Sequence, residues 1–221
     1  ELIQTSDGGY ALAGSTGDNP FRLFIAKLDF TGNIEWQKVM GAAAGDDFLS
    51  GSIADDGAGN IYVSSTVEYG SNGANDIWIA KLTSARALTW QKWVDLARTD
   101  EGEIDLTVVG GSPMIVGKTQ LGMPIGFLIN LNADGQLLGA RNLATTSSVI
   151  EPAALASIPG DGYVVAGLAA GRPWMARFNA DHTFAWSRDL SETPGQAKID
   201  SVSIRFDGLI VMSGAVDTHL Q

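Results

Sequence analysis

Carboxylates are the only chemically competent side chains that this sequence supplies in number. Its 221 residues hold 25 Asp and Glu against 14 Lys and Arg, with two His and no Cys, for a net charge of -11. Six of the acids, Asp46, Asp47, Asp76, Asp100, Glu101 and Glu103, fall in the polar stretches "GDD", "AND" and "RTDEGEID". Acids gathered in this way could hold a cation through oxygen ligands, or form the paired acid and base of glycoside chemistry, which is defined by carboxyl separations. Other chemistry has little material. His182 and His219 stand apart from any HExxH-type pattern, so a histidine-built metal site or serine triad is not expected. "GSTGDNP" lacks the lysine of a phosphate loop. "DDGAGN", residues 55–60, has the look of a calcium loop but lacks its ligand spacing and terminal Glu, and an Asp-Gly hairpin is the expectation, with calcium as the alternative. No other metal and no cofactor is expected.

The charge balance also bears on partners. Nucleic-acid binding depends on Lys and Arg neutralising phosphates, so an acidic chain with a pI near 4.4 is not expected to bind nucleic acid. No run of about 18 apolar residues is present to span a membrane. The absence of Cys removes disulfides and thiolate metal sites. The chain starts at Glu1 without Met, as it would after loss of a leader or a longer N-terminal region.

What must position the acids is a tandem repeat. "LFIAKL", "IWIAKL", "GFLINL" and "PWMARF" end at Leu28, Leu82, Leu131 and Phe178. A second anchor ends at Gly14, Ser65, Gly117, Gly167 and Gly214, and both recur every 47–54 residues in fixed order. Each unit resolves into four short β runs bounded by Gly, Asn and Asp; in the second these are Leu49–Ala54, Asn60–Thr66, Asp76–Leu82 and Ala87–Val94. No segment keeps a 3.6-residue period with caps. The expectation is an all-β β-propeller of four-stranded antiparallel blades, a single domain with blades near 1–42, 43–97, 98–145, 146–193 and a partial 194–221.

Packing of equivalent faces explains why residues are copied. Phe24, Trp78, Phe127 and Trp174 form one aromatic column; Trp36, Trp90 and Trp186 form a second, broken by Gly139 in the third unit. Trp93 lies outside both, and core packing is the leading role for the columns, with sugar stacking as the alternative. The first-turn acids Asp7, Asp56 and Asp161 recur in the units whose third strands carry Lys27, Lys81 and Arg177. Ion pairs are therefore expected in these three units; the third has neither partner, with Asn130 in place of the cation.

The pattern "DGGYALAG", "FIAKLD", "TGN" and "W" resembles the repeat of secreted and cell-surface bacterial β-propellers of the DGGY type, over nearly the whole chain. That resemblance implies the fold and no particular reaction. A looser likeness, through Ala26, Asp29, Thr31, Gly32 and Trp36, is to the tryptophan-docking motif of quinoprotein dehydrogenases, itself a blade-packing device.

Blade topology places the loops between strands two and three, and between blades, on one face. That face receives the six acids named above together with Asp18, Glu68, Asp105, Glu151, Glu192 and Asp200. Loops on a rigid scaffold commonly carry binding residues. The functional expectation is a non-catalytic extracytoplasmic scaffold or binding module, taking a cation, basic protein or glycan on the acidic face. The alternative is an enzyme on the same scaffold, a glycoside hydrolase or lyase, and after these a quinoprotein dehydrogenase. The chain opens with two strands of a first blade and closes with the first two of a fifth, eighteen strands in all. Further blades are expected from a longer chain or from another chain.

Overall fold

The computed structural model describes residues 1–17, 20–41, 46–49, 51–69, 75–96, 101–119, 125–144, 149–190 and 196–217. Among them there is no helix; the strands form consecutive antiparallel sheets. The first sheet is β1 (Leu2–Gln4), β2 (Tyr10–Ser15), β3 (Leu23–Leu28) and β4 (Ile34–Met40). In the second, β5 (Asp46–Phe48) and β6 (Ser52–Asp55) both pair with β7 (Ile61–Tyr69), followed by β8 (Asn75–Leu82) and β9 (Leu88–Val94). The third holds β10 (Glu101–Val109), β11 (Ser112–Thr119), β12 (Gly126–Leu131) and β13 (Leu137–Leu143). The fourth holds β14 (Ile150–Ile158), β15 (Gly162–Ala169), β16 (Arg172–Phe178) and β17 (Phe184–Asp189). A pair, β18 (Gln196–Ile204) and β19 (Ile210–Asp217), follows.

Burial grades across each sheet as the sequence dictates. The third strands are apolar on both faces, so β8 and β12 are buried along most of their length, whereas the fourth strands β9 and β13 are largely exposed. Each apolar cluster spans two neighbouring sheets. One joins Trp36 to Trp78, the next joins Tyr62 and Trp90 to Phe127, and the third joins Leu128 to Trp174. Trp78, Phe127 and Trp174 are buried, while Phe24 and Trp186 are half-buried. The first strands of successive sheets face one another.

The first strand of the second sheet is not the continuous Leu49–Ala54 run that the sequence suggests. It is two pieces, β5 and β6, which makes nineteen strands among the described residues where eighteen were expected. The physical reason recurs along the chain. The ladder slips between Gly102 and Asp105, between Pro152 and Ala154, and between Ile199 and Ser201, each time at the same place in the unit. A β-bulge bends its strand and re-aims the side chain after it. It also explains the glycine closing the "YVVAG" motif. A Cβ on Gly167 or Gly214 would run into the backbone of the bulged strand, at the carbonyls of Glu151 and Lys198.

Candidate functional site

The residue after each bulge is the same structural position: Ser52, Asp105, Ala154 and Ser201, with Glu1 at that position in the first sheet. The side chain there reaches to the next sheet and caps a backbone N–H of its first strand. Glu1 Oε2 accepts from Ile53 N at 2.9 Å, Ser52 Oγ from Leu106 N at 2.9 Å, and Asp105 Oδ2 from Leu155 N at 2.6 Å. The series stops at Ala154, which has no oxygen to offer Val202.

At its centre the row becomes a chain of oxygens. Ser52 Oγ lies 2.6 Å from Glu1 Oε2 and 3.0 Å from Asp105 Oδ1. A hydroxyl has one proton, so Ser52 can donate to only one of the two carboxyls at a time, and both are satisfied only when the other carries a proton. The electrostatics agree. Desolvation first, and the nearby Glu1 charge second, push the Asp105 carboxyl up to about 7, against hydrogen bonds from Leu155, Ser52 and Leu106. Glu1 is raised as well, mainly by desolvation. A cavity of about 850 Å³ adjoins this row, bounded by the first strands of all five sheets, with Glu1, Thr107, Ser157 and Ser201 among its lining residues. Glu1, which lines the cavity, is joined through Ser52 to a carboxyl raised to about 7, an arrangement able to hold a proton beside a bound group. Equally, it fastens three sheets together.

Sequence reasoning placed Asp105 on the acidic face as one acid among many and did not single out Glu1. The signal available was their equivalent place upstream of Gly117 and Gly14, which the shorter turn between Val109 and Ser112 shifts by one residue in the third unit.

Of the six acids chosen from sequence, the described residues place the side chains of Asp47 and Asp76. Asp47 Oδ1 accepts the N–H of Phe21 at 2.8 Å, tying the first sheet's loop to the second, and Asp76 is half-buried on β8. Asp100 and the side chains of Asp46, Glu101 and Glu103 lie outside the described residues. Glu151 pairs with Lys118 at 3.2 Å and Asp200 with Lys198 at 2.7 Å. In the 55–60 turn, Asp55 accepts from Gly57 N and from Ser6, while Asp56 accepts from Ala58 N, Asn60 N and Asn60 Nδ2. Those carboxylates face donors of the protein. Among the described residues, no group of three metal-ligating side chains converges.

The structure does bring the acid–cation partners together. Lys27 Nζ is 2.8 Å from Asp7 Oδ2, Lys81 Nζ is 3.9 Å from Asp56 Oδ2, and Arg177 contacts Asp161. Lys27 is buried and also meets Glu35 at 3.1 Å, and its hydrogen bond holds Asp7 far below the usual carboxylate range. The second column is tied forward by its indoles: Trp36 Nε1 donates to Ser84 O at 3.2 Å and Trp90 Nε1 to Ala133 O at 2.9 Å.

Where the third sheet has Gly139 in place of Trp, the fourth sheet answers. His182 occupies a turn position with φ 66°, taken by Gly32 and Gly135 in other units. Its Nε2 lies 2.8 Å from Asn130 Nδ2, and Arg141 bridges the His182 carbonyl and the Tyr163 hydroxyl. Burial and the Arg141 charge lower the His182 pKa, which favours the neutral imidazole that accepts from Asn130.

No protein-family profile matches the sequence, and no curated protein matches it. Solved structures do. The polysaccharide lyase Uly1 is 16% identical with a TM-score of 0.57, covering 97% of this chain and 55% of its own. The subtype N10 neuraminidase-like protein of A/little yellow-shouldered bat is 13% identical with a TM-score of 0.56, covering 83% and 56%. A protein of unknown function from Bacteroides caccae is 16% identical with a TM-score of 0.53, covering 93% and 65%. The fold is that of a β-propeller. The sheets are its blades, and the chain spans 55–65% of the length of these three propeller-like structures. At such identities the likeness is one of fold alone.

Proposed function

We propose that this chain is part of a non-catalytic, extracytoplasmic β-propeller that serves as a scaffold or binding module, with four full blades and two strands of a fifth supplied here. Its partner, a cation, basic protein or glycan, meets the loops of the acidic face. The observation that carries this reading is the use made of carboxylates. Glu1 and Asp105 cap backbone groups of the following blade, Asp47 ties a loop across a blade boundary, and Asp7, Asp56 and Asp161 hold hairpin turns. Acids consumed in this way build a rigid platform. The test is binding of calcium, basic proteins and an array of glycans to the wild-type chain, repeated with Asp105→Asn. A platform keeps its ligand in any Asp105→Asn protein that remains folded.

One observation favours a second reading, an enzyme acting on polysaccharide. Burial raises the Asp105 carboxyl to about 7, Ser52 joins it to Glu1, and Glu1 lines the axial cavity. Cleavage of an acidic or neutral polysaccharide by the wild type, abolished in folded Asp105→Asn, would replace the scaffold reading with this one.

A further inference from the structure

Two clefts at the outer edge of the propeller are the same cleft built twice. One, of about 330 Å³, opens between the first and second blades; the other, of about 470 Å³, opens between the third and fourth. Strand register makes their linings equivalent. The cation is Lys38 in one and Arg141 in the other, paired opposite Ile25 and Leu128. Trp78 and Trp174 form the floors. The lips carry Leu88 and Phe184, and the polar group is Gln91 or Ser187.

The first cleft has an addition that the repeat does not require. Trp93 stands where the other outer strands have Val39, Asn142 and Asp189, and it is 42% exposed. An exposed indole face beside amide and ammonium donors presents an apolar plane with polar groups at its margin. A sugar ring, with a C–H face and equatorial hydroxyls, has the complementary arrangement.

Charge chooses among sugars. Lys38 Nζ donates to the Arg86 carbonyl at 3.3 Å, and Arg141 donates to the His182 carbonyl and Tyr163 hydroxyl. Neither forms an ion pair among the described residues. Each full blade places one cation at this position of its outer strand, Lys38, Lys92, Arg141 and Arg188. In a chain of net charge -11, this row is where an anion would be drawn.

We infer that the paired outer clefts bind acidic saccharide, with the carboxylate of a uronate unit on Lys38 or Arg141 and its ring against the aromatic lip. This rests on the binding-module reading and adds to the acidic-face loops a second site, at the outer edge, with its ligand class. The test titrates the chain with galacturonic acid oligosaccharide, following tryptophan emission and amide shifts. Binding is expected to weaken with added salt, and the neutral galactose oligosaccharide to bind about tenfold less tightly, as loss of a charge-assisted hydrogen bond implies. Trp93→Ala weakens the first cleft, and Lys38→Met with Arg141→Met removes the charge dependence of both. Should the Arg141 variant fail to fold, Gln91→Ala and the wild-type shift map carry the test, since shifts must fall on the two clefts. Absence of binding, shifts elsewhere, or an acidic peptide bound as tightly as the saccharide would overturn the inference. Retention of calcium, a basic protein or a neutral glycan in that case leaves the scaffold reading standing, whereas cleavage of the oligosaccharide sinks the scaffold reading itself.

Discussion

Asp105 Oδ2 accepts the backbone N–H of Leu155 at 2.6 Å, across the boundary between the third and fourth blades. The same carboxyl faces Ser52, and through it Glu1, so one residue of the third blade is in contact with the second and fourth. Its protonation is thereby coupled to the joining of blades.

Because the Asp105 pKa is raised on folding, its protonated form is the stabilising one. This contribution is complete below the unfolded value near 4 and is lost as pH rises through about 7. Asp105→Asn resembles the protonated state at every pH. The stability of the variant relative to the wild type should increase between pH 4 and 7, by roughly 1 kcal/mol or more, and level off above. Denaturant unfolding at several pH values measures it; a difference independent of pH would refute the proton assignment.

The opposite sign is expected at Asp7. Its pKa is held down chiefly by the hydrogen bond from Lys27, so the stability it supplies is present above pH 4 and lost on acidification. Lys27→Met strips Asp7 and Glu35 of a buried cation and should cost about 1–3 kcal/mol at pH 7, shrinking below pH 3. Thermal melts at the two pH values are the measurement.

Ala154 interrupts the axial row, which leaves the N–H of Val202 without the acceptor that Ile53, Leu106 and Leu155 receive. Ala154→Ser supplies a hydroxyl and should add about 0.5–1.5 kcal/mol. Slower hydrogen exchange of the Val202 amide would place the gain at this boundary. Unchanged exchange with unchanged stability would mean that the hydroxyl does not reach.

How far these features could be read in the sequence follows from the range of the forces involved. The blades were legible because a buried third strand must be apolar on both faces, as "IWIAKL" is, and the acid–cation partners because they are local to one hairpin. Asp105 and Glu1 were hidden by turn length. The third unit joins its first two strands through a shorter turn, Val109 to Ser112 against Gln4 to Tyr10, so equivalent positions fall one residue out of alignment until backbone pairing restores them. The acidic face was a property of topology, and most of its chosen acids lie outside the described residues. Trp93 was visible only as an exception to the repeat.

At the third blade, His182 and Gly139 form a compensating pair. His182→Gly relieves a left-handed backbone but strands Asn130, and should lower stability by about 1 kcal/mol. Combined with Gly139→Trp, which rebuilds the indole of the other blades, the two should be non-additive in a double-mutant cycle. Additive costs would show that the histidine does not occupy the place of the missing ring.

Most side-chain fastenings onto the backbone of a neighbouring blade share a direction, with Asp47 on the Phe21 N–H and Asp55 on the Ser6 N–H running the other way. Glu1 reaches Ile53, Ser52 reaches Leu106, Asp105 reaches Leu155, Trp36 reaches Ser84, Trp90 reaches Ala133, and Arg141 reaches His182. In these six the side chain belongs to the earlier blade and the backbone group to the later one. As the chain leaves the ribosome, each finished blade therefore already displays most of the side chains that will hold its successor. Assembly gains a vector from N-terminus to C-terminus, and a cut made between two blades would separate hooks from eyes.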